Sequence, residues 1–149
     1  VRIDRAEDIH TYFEGGFAGT TKIKLKDGTS KEIKDICVDD ILECGEIVYG
    51  IVKINGKNIS EQFKYNLGNT IVEGGPNLPI CDRTVRAKST LYLNSNKKNR
   101  LDNKHGELYH LLTDTKTFHV EKIMFYDYNA TVDLFLVKSA GKLLSMKYV

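Results

Sequence analysis

The chain has 149 residues, enough for one ordinary domain with short extras. Twenty-two Lys and Arg against twenty Asp and Glu leave a formal charge of +2, so no global field favours nucleic acid or an anionic membrane. Hydrophobic residues at 41% and charged residues at 28% describe a soluble globular composition, and no apolar run nears the ~18 residues of a membrane span. The first residues, Val1-Arg2-Ile3-Asp4-Arg5, lack the apolar core of a secretory signal. Three cysteines (Cys37, Cys44, Cys81) are an odd and sparse set, which argues against a disulfide framework and for a reducing, cytoplasmic compartment. No CxxC occurs and the four histidines (10, 105, 110, 119) are scattered, so the spacing argues against a structural zinc site.

Period-two patterning dominates the chain. Lys22-Ile23-Lys24-Leu25-Lys26 alternates, Asp27-Gly28 supplies a hairpin turn, and Glu32-Ile33-Lys34 resumes beyond it. Ile41-Leu42 marks a turn, and residues 46–54 form a long strand closed by Asn55-Gly56. Helical candidates are short, at Ile33–Val38 and Ser60–Tyr65. Thr70-Ile71-Val72 and Arg83–Arg86 read as short strands flanking a loop that holds both prolines, Pro76 and Pro79. Residues 94–107 carry almost no apolar content and read as a mobile surface loop, with no interleaved aromatics for stacking on bases. Strands return at Leu108–Leu112, Thr117–Val120, Ile123–Tyr126 and Val132–Val137. Cys37, between Ile36 and Val38, reads as a small buried hydrophobe, and Cys81 follows the Pro-bounded loop. Many short strands separated by Gly, Asn and Asp turns make this an all-β chain.

Residues 17–42 open with Phe17-Ala18-Gly19-Thr20, followed by a strand, Asp27-Gly28, a second strand and Ile36-Cys37-Val38-Asp39-Asp40. That block resembles the start of the Hint superfamily, the autoprocessing domains of inteins and hedgehog proteins. A second block, from Leu108-Tyr109 through Thr117-Phe118 and Phe125-Tyr126-Asp127 to Asn129, resembles the C-terminal splicing block of that family. The resemblance implies a pseudo-symmetric β horseshoe over residues 16–129, without an endonuclease insert, with both junctions at one centre. Glu14-Gly15-Gly16 is similar to a ubiquitin-like di-glycine tail, and Phe135–Val149 looks like the first hairpin of ubiquitin. Together the flanks (1–15 and 130–149) resemble the surroundings of a bacterial-intein-like domain set between ubiquitin-like modules. The alternative, a lesser one, is that residues 132–149 are the closing hairpin of the Hint domain itself.

In the resembled chemistry a thiol or hydroxyl at the upstream junction attacks the preceding carbonyl and turns a peptide bond into a thioester or ester. Here Gly16 fills that slot and Gly15 is the residue whose carbonyl would be attacked. Glycine cannot start the shift; either the nucleophile was replaced, or it was deleted and Gly16 closes the flank. The family's Thr-x-x-His element corresponds to residues 74–79, where Asn77 is nearest the His register and can donate a hydrogen bond but not shuttle a proton. At the downstream junction Tyr126-Asp127 stands in strict register with the family's His-Asn, and Asp127 has no amide nitrogen with which to cyclise. Tyr128-Asn129-Ala130 does offer one, which makes Asn129 the candidate for downstream scission, Tyr128 the stand-in for the His, and Ala130 a residue unable to accept an acyl group. His110 and His119, lone histidines on alternating strands, read as structural or surface residues.

The resemblance therefore implies a monomeric, single-turnover self-processing domain whose substrate is its own flanking polypeptide, with water or an amine as acceptor and no cofactor. A decayed Hint fold serving as a spacer between ubiquitin-like units is the alternative, and a general β-rich binding domain is a third.

Overall fold

The lysines that alternate with Ile23 and Leu25 can face water only if the segment is extended, and they do. The computed structural model describes residues 15–76, 78–81, 91–92 and 98–133. Its strands are β1 (Phe17–Ala18), β2 (Lys22–Lys24), β3 (Ser30–Glu32), β4 (Val48–Asn55), β5 (Phe63–Leu67), β6 (Thr70–Gly74), β7 (Pro79–Ile80), β8 (Leu91–Tyr92), β9 (Lys98–Arg100), β10 (Glu107–Thr113), β11 (Thr117–Val120) and β12 (Ile123–Tyr126). β2 and β3 form the expected hairpin, with Lys22 opposite Glu32 and Lys24 opposite Ser30. At its turn Gly28 adopts a φ of 89°, and Asp27 Oδ1 accepts from the Thr29 amide (2.9 Å) and hydroxyl (2.6 Å).

The strands assemble into a six-stranded sheet ordered β4-β10-β1-β6-β5-β9, a four-stranded sheet ordered β11-β12-β7-β8, and the β2-β3 ribbon. Although only two residues long, β1 lies inside the large sheet: Phe17 is opposite Tyr109 of β10 on one side and Gly74 of β6 on the other. The core links the sheets. Phe17 meets Phe118 and Phe125 edge to face, at centroid separations of 5.5 and 5.0 Å, and Ile23, Ile33, Leu42, Val48, Tyr65, Leu78 and Leu111 pack around them. Among the described residues, no helix is long and apolar enough to cross a membrane.

The all-β expectation holds, and several local ones need correction. Residues 60–65 are not helical: Phe63 and Tyr65 alternate inward along β5, which pairs with β6 and β9. The helical candidate at 33–38 shrinks to a 3-10 turn, Ile33–Asp35. Beyond it Ile36 turns inward, so Cys37 is exposed, not a core hydrophobe. The polar run 94–107 is not a bare loop where it is described. Lys98–Arg100 pairs with β5, the Leu101 amide donates to the Gln62 carbonyl (2.8 Å), and the His105 amide donates to Gln62 Oε1 (2.8 Å). The segment replaces apolar burial with backbone satisfaction. Residues 128–133 are helical, so the strand expected at 132–137 does not begin at 132. The proposed ubiquitin-like hairpin at 135–149, the strand at 83–86 and residues 1–14 of the upstream flank lie outside the described residues.

Candidate functional site

Around the expected upstream junction the contacts are made by backbone. Gly15 and Gly16 are buried. The Gly16 carbonyl accepts from the Gly75 amide at 3.1 Å, and the Gly75 carbonyl in turn accepts from the buried Tyr65 hydroxyl at 2.7 Å. Gly74 is required at this crossing, since a Cβ there would collide with the Gly16 carbonyl oxygen. Gly16 itself has a φ of 108°, and a Cβ added to it would lie 2.9 Å from Leu108 Cβ and 3.0 Å from Ile54 Cδ1. The slot as folded is therefore shaped for glycine. Asn77, the nearest match to the family His, lies outside the described residues.

The residues of the expected downstream junction lie at the start of the helical run. Asp127 is fully buried and caps that run: its Oδ1 accepts from the Ala130 amide (2.7 Å), and Oδ2 accepts from the Thr113 amide (2.9 Å). The Thr131 hydroxyl and amide both donate to the Asp127 carbonyl, at 2.8 and 3.1 Å. Burial raises the Asp127 pKa, against the two backbone hydrogen bonds and Lys116, which lower it. The nitrogen of the Asn129–Ala130 bond is thus held on a carboxyl group. Asn129 lies in the helical run and directs Nδ2 to the Tyr49 hydroxyl of β4 at 3.5 Å. Tyr128 is half-buried, and burial pushes its hydroxyl up to about 12. Cys81 lies beside the downstream strand: its amide donates to the Met124 carbonyl at 2.9 Å, and its hydrogen bond with Tyr126 raises the tyrosine pKa.

One side chain lies between the two expected junctions, with no local sign of it in the chain order. His110 is fully buried on β10, its ring 5.4 Å from Phe17, 5.7 Å from Phe118 and 5.8 Å from Tyr128. Desolvation lowers its pKa to about 3, so the imidazole is neutral near pH 7. Nδ1 accepts from the Leu111 amide at 3.1 Å, which places the remaining proton on Nε2. That Nε2 is buried and has no hydrogen-bond partner among the described residues. A neutral imidazole with a dry, unsatisfied N–H is a donor available to a developing negative oxygen. The only sequence signal for it is register: extending the β1–β10 pairing by one residue sets Gly16 opposite His110.

No protein-family model matches the chain, and no curated protein sequence does. Among solved structures it is similar to the gp41-1 intein, with a TM-score of 0.53 at 18% identity over 76% of this chain and 98% of that one. A triply substituted form of the same intein aligns at a TM-score of 0.49 and 14% identity, over 76% of this chain and 99% of that one. At the level of fold the likeness is clear: the chain has the Hint fold of the inteins.

Proposed function

We propose that residues 16–129 form a self-processing domain of bacterial-intein-like type that acts on its own flanks, as a monomer, and lacks its upstream nucleophile. The observation that carries this reading is His110, whose ring touches Phe17, next to Gly16, and Tyr128, next to Asn129, inside an intein fold. In the complete reaction a thiolate at position 16 attacks the Gly15 carbonyl carbon, and the residue-16 nitrogen departs as an amine. Water or an amine then takes the acyl group from sulfur. His110 Nε2–H stabilises the tetrahedral oxygen. Downstream, Asn129 Nδ2 attacks its own carbonyl carbon, and the Ala130 nitrogen, held by its N–H on Asp127 Oδ1, departs as an amine carrying the proton that Nδ2 loses. Ala130 accepts no acyl group, so the outcome is cleavage or transfer to an external amine, and no cofactor takes part.

The spacer reading has one observation in its favour, the positive φ and crowded Cβ position of Gly16. Two variants separate the readings: Gly16→Cys, and a cysteine inserted between Gly16 and Phe17, each treated with hydroxylamine. The processing reading expects at least one to release the upstream segment while the parent chain stays intact at that bond. If both stay intact over days in folded protein, the domain is a spacer.

A further inference from the structure

A second cluster lies away from both junctions. The turn at Leu42–Glu46, closed by the Leu42 amide on the Glu46 carbonyl (2.8 Å) and the Gly45 amide on the Leu42 carbonyl (2.9 Å), brings Cys44 and Glu46 against His119 of β11. The three ligating atoms all lie within 4.8 Å of one another. His119 Nδ1 and Glu46 Oε2 are 3.5 Å apart, and Glu46 is only 3% exposed. Its second oxygen, Oε1, is buried with no hydrogen-bond partner among the described residues. A carboxylate oxygen removed from water in this way is costly unless a charge or donor answers it.

We propose that Cys44, Glu46 and His119 bind a thiophilic divalent cation of the Zn²⁺ class. The donor set decides the class: sulfur and imidazole favour Zn²⁺ or Co²⁺ over Mg²⁺ or Ca²⁺, which take oxygen ligands. Tetrahedral zinc holds N, O and S ligands roughly 3.3–3.6 Å apart, so the His119–Glu46 edge is at bonding separation and Cys44 closes by about 1 Å. Cys44 is exposed, which supplies an entry path and leaves the fourth position to water. A thiolate and a carboxylate neutralise the ion, and the ion sets a positive charge beside the buried Glu46 carboxylate. The bound cation ties the 42–46 turn to the β11–β12 hairpin that leads into Asp127, and so braces the strand carrying the downstream junction.

The test is a Co²⁺ titration of the reduced, metal-free full chain, followed by displacement with Zn²⁺. The site predicts a thiolate-to-cobalt charge-transfer band saturating near one equivalent, and a Zn²⁺-dependent rise in the thermal midpoint. Cys44→Ser removes the band and the rise; its position is exposed, so the fold survives. His119→Ala weakens binding by about a hundredfold or more. Cys37→Ser and Cys81→Ser leave band and affinity unchanged. No band in the parent chain, or a band that survives Cys44→Ser and disappears with Cys37→Ser or Cys81→Ser, overturns the proposal.

Discussion

His110 shows how much a single burial decides. Its folded pKa of about 3 lies below the ordinary 6.5, so the unfolded chain binds a proton that the folded chain refuses. The stability this contributes is complete above about pH 6.5 and is lost as the pH falls toward 3, with a slope of up to about 1.4 kcal/mol per pH unit. Denaturant unfolding between pH 7 and 4 should show that slope in the parent chain and a shallower one in His110→Phe; equal slopes would contradict a buried neutral histidine. Asp127 works in the opposite sense. Its pKa is raised by burial, so its contribution is greatest below the ordinary carboxylate pKa and falls as the pH rises through the folded value. Asp127→Ala strips acceptors from the Ala130 and Thr113 amides and should cost about 1–3 kcal/mol at neutral pH, measured by urea unfolding. Sequence alone assigned Asp127 no more than a failed cyclisation, because a capping role depends on a helical run that the residues after it did not announce. His110 was equally hidden: one histidine on an alternating strand looks the same whether or not its ring joins two junctions.

The elements divide by whether their signal is local. The β2–β3 hairpin was legible because alternation and Asp27-Gly28 act within a few residues. β5 was not, since Phe63 and Tyr65 alternate over only five residues and the neighbouring Gln62 is fixed partly by His105, 43 residues further along the chain. The same bonds fix residues 101–106, whose polar composition suggested mobility. Hydrogen exchange should therefore find the Leu101 and His105 amides protected to a degree similar to β5. Exchange at the rate of an open loop would contradict the pairing. The β1–β6 crossing makes a further claim at this scale. Gly74→Ala drives a methyl into the Gly16 carbonyl and should destabilise by about 1–3 kcal/mol, whereas Gly106→Ala, with open space around its Cα, should be tolerated. Comparison of their unfolding midpoints checks both.

At the scale of the whole molecule, topology makes neighbours that spacing cannot reveal. The two blocks that resembled Hint domains pointed to the right fold, and the resemblance carried that much. Cys44, Glu46 and His119 come together only because the 42–46 turn meets β11, so scattered cysteines and histidines gave no warning of a cluster. The demand for glycine at position 16 was invisible for the same reason: Leu108 and Ile54 leave no room for a Cβ on a residue read only as a missing nucleophile. The central claim is that a latent acyl-shift centre spans Gly15–Gly16 and is served by His110. Its most direct test is intact-mass spectrometry of the Gly16→Cys chain after hydroxylamine, run beside the Gly16→Cys/His110→Phe double variant. The account predicts release of residues 1–15 from the first and release slowed about 10²-fold or more in the second, the loss typical of one oxyanion donor. Folded Gly16→Cys and cysteine-insertion chains that both stay intact, or equal release with and without His110→Phe, would contradict it.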